Sequence, residues 1–218
     1  MFRLDHYQLD ERLNDITLNI NSSEKVALLG PSGGGKTSLL NTLYQQCADK
    51  VAWCPQEHGL VEALSSYHNI YMGQLEQHSA LYNLANLIKP LAKPKQAISK
   101  LSLLLGLEPQ QHLWKTVNHL SGGQRQRIAI ARGLFRQQSC FLGDEPVSNV
   151  DPVQAQQILE LIISRHKTVV IALHNRQQAL LNFERIIGIK SGRIIFDLPV
   201  KELSSDKRQA GLLDSLYE

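Results

Sequence analysis

Apolar positions change their spacing several times along the chain. Ile16, Leu18 and Ile20 alternate with polar neighbours, which predicts a half-buried strand. Asn21-Ser22-Ser23 follows as a turn. Val26-Ala27-Leu28-Leu29 is then a continuous apolar run ending at Gly30, the pattern of a short buried strand. From Lys36 to Cys47 the pattern becomes helical. Val61 to Leu120 has a different texture, with helical stretches over Ser66–Met72, Ala80–Ile88 and Lys95–Leu105, broken at Pro90, Pro94 and Pro109. No strand is expected there.

From Ser121 the alternation of strand and helix returns. A helix is expected over Gly122–Gln137 and a strand over Cys140–Leu142. Asp151-Pro152 starts a helix, with a capping carboxylate and proline at the first helical position, running to about Arg165. Thr168–Leu173 reads as a buried strand. Ile186–Ile189 and Arg193–Phe196 flank Ser191-Gly192 as a hairpin. The tail after Pro199 is charged and gives no clear pattern. Strands alternating with helices predict an α/β fold with a mostly parallel sheet over residues 1–60 and 121–218, and a helical lobe inserted over 61–120.

The 218 residues suit one compact domain with such an insertion. A formal charge of +3 without any Lys/Arg run gives no ground for a nucleic-acid partner. Cys47, Cys54 and Cys140 lack metal-ligand spacing and read as reduced thiols. The seven histidines other than His174 (His6, His58, His68, His78, His112, His119 and His166) form no constellation and read as structural or solvated. No stretch approaches the about 20 apolar residues that cross a bilayer. Met1-Phe2-Arg3-Leu4-Asp5 lacks the apolar centre of a signal peptide, so a cytosolic chain is expected, with membrane contact only through a partner.

Gly30-Pro31-Ser32-Gly33-Gly34-Gly35-Lys36-Thr37 fits G-x-x-x-x-G-K-[ST] and lies between an expected strand and an expected helix. Glycines allow the backbone path that turns successive N–H groups toward phosphates, and the helix N-terminus adds partial positive charge. Lys36 is placed to reach β- and γ-phosphates, and Thr37 to put its hydroxyl on Mg²⁺. The expected ligands are therefore a nucleoside triphosphate and Mg²⁺. Cys140-Phe141-Leu142-Gly143-Asp144-Glu145 is an apolar strand ending in two carboxylates. Asp144 suits a metal ligand and Glu145 a base for the attacking water.

Leu120-Ser121-Gly122-Gly123-Gln124 is a second glycine-rich turn at a helix start, hence a second potential anion site. Its helix would carry Ile128, Ala131, Leu134 and Phe135 on one face and Arg125, Arg132 and Arg136 on the other. With this pentapeptide the chain resembles the ATP-binding cassette family, in which it is the signature. The resemblance implies a P-loop nucleoside-triphosphatase core with an N-terminal antiparallel β portion, and ATP hydrolysis by two subunits packed head to tail. Each signature (Ser121, Gly122, Gly123 and Gln124 here) would close on nucleotide held by the partner's Gly30-to-Ser38 cradle. It further implies that Gln56 senses the γ-phosphate and Mg²⁺, that Ser148-Asn149-Val150-Asp151 crosses the dimer interface with Asp151 near nucleotide, that His174 contacts the γ-phosphate, and that Tyr7 stacks on adenine.

Two departures stand out. Only twenty residues separate Lys36 from Gln56, so the antiparallel β arm usual there is expected to be shortened. Asn149-Val150 and Gly143 replace more usual residues without removing a catalytic group. Asp144-Glu145-Pro146-Val147-Ser148, Ala172-Leu173-His174 and the stretches Arg185–Gly188 and Gly192–Asp197 resemble the ATP-binding subunit of phosphonate importers. That likeness implies a permease in the membrane, a solute-binding protein, and a place on the inner face of the cell membrane. An export or lipoprotein-release ATPase shares every motif. A soluble cassette protein is the other alternative, disfavoured by the single cassette and the lack of sustained heptads.

Overall fold

The computed structural model describes residues 1–205 and 207–217. In chain order the elements are β1 (Phe2–Leu9), β2 (Leu13–Ile20), β3 (Lys25–Leu29), α1 (Lys36–Gln46), β4 (Val51–Cys54), α2 (Ser66–Tyr71), α3 (Ala80–Ile88), α4 (Ala92–Leu104), α5 (Pro109–His112) and α6 (Gly122–Phe135). They continue as β5 (Cys140–Asp144), α7 (Pro152–Arg165), β6 (Thr168–Ala172), α8 (Arg176–Asn182), β7 (Arg185–Lys190), β8 (Arg193–Pro199), α9 (Val200–Ser205) and α10 (Lys207–Ser215). The tail that lacked a pattern thus carries two helices. Leu213 and Leu216 are buried there, and Arg176 meets both Asp214 and the ring of Tyr217.

The chain forms two compact units. The first comprises Met1–Gln56, Ser139–Ser148 and the residues from Ala155 onward. Its six-stranded sheet has the order β4-β5-β6-β3-β7-β8, parallel throughout except for the β7–β8 hairpin. The residues of β5 and β6 are all buried, which is why they read as unbroken apolar runs. A separate antiparallel pair, β1–β2, supplies the N-terminal β portion, and the segment between Lys36 and Gln56 adds no strand to it. Phe2, Leu13, Ile16 and Ile20 of that pair share one core with Val26 and Leu28 of β3 and with Leu39, Leu40 and Leu43 of α1. The cradle is therefore gripped from the sheet side and the hairpin side by one apolar cluster.

The second unit, Glu57–Gln138 with Asn149–Gln154, is helical. Its only strand-like feature among the described residues is an isolated bridge from Ser65 to Thr116. It takes in the signature turn and all of α6, beyond the 61–120 span expected from texture, because α6 packs against α2 and α4. Asn69 fixes its first turn by bonding the carbonyls of Val61, Leu64 and Ser65, while Asn86 accepts from the Tyr67 hydroxyl at 2.8 Å.

One expectation is corrected here. Pro94 does not break a helix but sits in the first turn of α4, where its missing N–H would have had no partner in any case. Arg125, Arg132 and Arg136, on the face opposite Ile128, Ala131, Leu134 and Phe135, are all half-buried. Arg125 Nε donates to Leu120 O, Arg132 to the carbonyls of His58 and Gly59, and Arg136 pairs with Glu76. Their charge is spent on backbone carbonyls and on two carboxylates of the same unit, Glu62 beside Arg125 and Glu76 beside Arg136. Among the described residues no helix is long and apolar enough to cross a membrane.

Candidate active site

The loop after β3 turns on glycines with left-handed backbone. Gly30 has φ 155° and Gly35 has φ 110°, and a Cβ on Gly30 would lie only 1.9 Å from the Ile189 carbonyl oxygen. Any side chain there would push the cradle off β7. The turn delivers Lys36 as the first residue of α1, buried, with its ammonium donating to Gly30 O at 2.8 Å and Pro31 O at 3.0 Å. Burial holds the Lys36 pKa below its ordinary value, and the nearby Glu145 and Asp144 carboxylates partly offset that.

Asp144, the last residue of β5, is 1% exposed, and neither carboxylate oxygen has a hydrogen-bond partner. Burial raises its pKa; the neighbouring Thr37 hydroxyl and Lys36 pull it back while Glu145 adds to the rise. A buried carboxylate left without partners costs stability unless a cation completes it. The donor set, two free carboxylate oxygens beside a hydroxyl, is oxygen-only, as a hard divalent cation requires.

Glu145 follows in a left-handed conformation, φ 52°, uncommon for a residue with a side chain. Its N–H donates to Ala172 O at 3.1 Å, which turns the chain away from β5 just as the sheet ends. The carboxylate then meets His174, with Nε2 of the ring 2.5 Å from Oε1. Backbone strain of this kind is typical where a side chain must be aimed.

Lys36, Glu145 and His174 face a cavity of about 580 Å³ lined also by Ser32, Gly33, Gly34, Gly35, Thr37, Ser38 and Gln56, while buried Asp144 is not among its lining residues. Gly30 and Pro31 stand behind it as acceptors for Lys36. Tyr7 is not among the lining residues; a register shift in β1 after Leu4 leaves it half-buried against the apolar core. In the helical unit, Ser121 caps α6 through a capping box with Gln124, whose N–H donates to Ser121 Oγ and whose Oε1 accepts the Ser121 N–H at 3.0 Å. Ser121 and Gly122 are exposed, and a Cβ on Gly122 would touch nothing within 4 Å. Asp151 caps the start of α7, accepting from the Gln154 N–H at 3.0 Å.

The cavity also takes in Glu11, Arg12, Ser191 and Gly192, which the motifs did not single out. The pattern marked Ser191-Gly192 only as a turn. Its role becomes visible through two bonds: Gly192 N–H donates to Gly34 O at 2.9 Å, and Asn14 N–H to Gly192 O at 2.7 Å.

The sequence model described as ABC transporter matches residues 13–148, more than half of the chain. This protein belongs to the ABC transporter family. It is an ATPase subunit of that family. This ABC ATPase is 36% identical over 246 residues to the phosphonates import ATP-binding protein PhnC of Pseudomonas fluorescens (strain Pf0-1), covering 98% of this chain and 88% of the relative. It is 35% identical over 234 residues to the phosphonates import ATP-binding protein PhnC 1 of Pseudomonas syringae pv. tomato, covering 94% and 85%. Among solved structures it is similar to a dimeric ATP-binding cassette in a post-hydrolysis state bound to ADP and Pi. That match has a TM-score of 0.75 at 25% identity, over 91% of this chain and 98% of the other.

Proposed function

We propose that this ATPase powers import of a phosphonate or related oxyanion through a membrane permease fed by a solute-binding protein. It would work as an ATP-clamped dimer docked on the inner face of the membrane. The observation that carries the chemistry is the arrangement at the end of β5: partnerless Asp144 beside Thr37, followed by Glu145 in contact with His174. The cargo class is supported by the names of relatives aligned over nearly the whole chain.

In this reading Lys36 exchanges its carbonyl partners for the β- and γ-phosphates of ATP. Glu145 takes a proton from the attacking water at its carboxylate, and His174 orients that carboxylate and steadies the γ-phosphate. Thr37, Asp144 and Gln56 would hold Mg²⁺. Such a cation, when bound, supplies charge neutralisation at the phosphate oxygens. Ser121, Gly122, Gly123 and Gln124 of a second copy close over the nucleotide, excluding water and adding donors at a helix N-terminus. Asp151 and its loop line the seam between copies.

The test is co-purification with the permease, reconstitution in proteoliposomes, and ATP-dependent uptake of labelled alkylphosphonates. Uptake that Glu145→Gln abolishes supports the reading. Vigorous ATP hydrolysis with no phosphonate or phosphate uptake overturns the cargo assignment.

A further inference from the structure

We infer that Arg12 receives the nucleoside end of the bound nucleotide, its flat guanidinium lying against the purine base. The inference rests on the ATP reading of the cavity and extends it to a residue that the cassette motifs leave out.

The sheet order carries the first step. β5 and β6 lie on one side of β3, and β7 lies on the other. These strands are parallel, so the segments leaving their C-terminal ends emerge along one edge. Glu145 leaves β5 and His174 follows β6, whereas Ser191 and Gly192 leave β7. The hydrolytic pair thus flanks the cradle on one side and the β7–β8 turn flanks it on the other. A nucleotide whose terminal phosphate meets Glu145 and His174 extends its ribose and base toward the β7 side.

On that side the tip of the β1–β2 hairpin is held against the cradle. The Arg12 carbonyl oxygen lies 2.7 Å from where a Cβ on Gly192 would stand and 3.2 Å from one on Gly35. Only glycines allow this approach. The Arg12 N–H closes the hairpin on Leu9 O at 3.0 Å, and Asn14 N–H fastens its far side to Gly192 O at 2.7 Å. The Arg12 backbone is therefore fixed, while its side chain is 63% exposed and lines the cavity.

Charge decides which part of the nucleotide it meets. Arg12 Nη2 is 3.0 Å from Asp10 Oδ2, and Glu11 adds a second carboxylate to the same tip. Two carboxylates to one guanidinium make a poor seat for a phosphate chain. A guanidinium already neutralised by a carboxylate still offers a flat face for stacking on a base. The exposed pair with Asp10 holds it weakly enough for the side chain to reorient. Tyr7, by contrast, packs against the core rather than lining the cavity.

The test compares ATP, GTP and inorganic tripolyphosphate by direct titration of the purified chain and its variants. Arg12→Ala is expected to weaken ATP and GTP about tenfold, the scale of one lost stacking platform, and tripolyphosphate less than about twofold. Arg12→Lys, which keeps the charge but loses the flat face, should lose nearly as much. Equal weakening of tripolyphosphate would make Arg12 a phosphate ligand and overturn the inference. So would unchanged ATP affinity in Arg12→Ala, or a tenfold loss confined to Tyr7→Leu. An unaltered chain that fails to bind ATP would bring down the cavity reading as well. Normal wild-type binding with an inert Arg12→Ala would remove this inference alone.

Discussion

The side-chain oxygen of Gln126 accepts the backbone N–H of Asn149 at 2.9 Å, tying the signature helix to the loop that leads into α7. Gln126 is 2% exposed, and a Cβ on Gly123 would lie 2.7 Å from the Asn149 carbonyl oxygen. The signature turn and this loop are therefore one piece, joined within the helical unit. Replacing Gln126 by Leu removes the acceptor without changing bulk greatly. It should cost about 1–3 kcal/mol in urea unfolding and slow ATP turnover, while Gln126→Glu, which keeps an oxygen there, should retain more turnover.

Gly30 fixes the cradle against β7, so its missing side chain is a structural requirement. Gly30→Ala would force a methyl group into the Ile189 carbonyl. A loss of roughly 1–3 kcal/mol or more is expected, with ATP affinity falling as the loop shifts. Calorimetry and nucleotide titration on the same preparation check both effects.

Lys36 is buried with its ammonium held by two carbonyls, and the proposed function has it pass from them to phosphate. Lys36→Ala should weaken ATP about tenfold or more, as loss of a charge-assisted contact implies. Unchanged binding would show that the triphosphate lies elsewhere.

Arg185 joins β7 to β8 and to the turn before β3, through Asp197 at 2.6 Å and Glu24 at 2.5 Å. Burial pushes the Glu24 carboxyl up, but hydrogen bonds from Asn21 and Arg185 outweigh it and hold it below its ordinary 4.5. A depressed carboxyl contributes stability above its unfolded pKa and loses it as pH falls through the folded value. Urea midpoints should therefore drop between pH 7 and about pH 3.5, and Glu24→Gln should lower the pH 7 midpoint and flatten that drop. A mutant with the wild-type slope would remove Glu24 from the acid response.

Much of this arrangement is legible in the sequence alone. The strand before Gly30, the helix from Lys36 and the strand ending at Asp144 follow from local rules, because buried parallel strands must be apolar and tight turns need glycine. β4 was not legible: Val51–Cys54 is four residues at the sheet edge, too short to show a period. Tyr7 illustrates another limit, since the irregularity around His6, which has φ 46°, shifts the alternation of β1. Arg12 could not be found from spacing, because its backbone is placed by close approach to Gly35 and Gly192, one of them far along the chain.

The central claim is that Glu145 activates the water that cleaves ATP in the Lys36 cavity. The most direct measurement is steady-state ATP hydrolysis by Glu145→Gln, with bound nucleotide and oligomeric state followed in the same sample. The account predicts at least a roughly hundredfold loss of turnover, the scale of a missing general base, together with retained ATP and an accumulating ATP-bound dimer. Hydrolysis near the wild-type rate would contradict it.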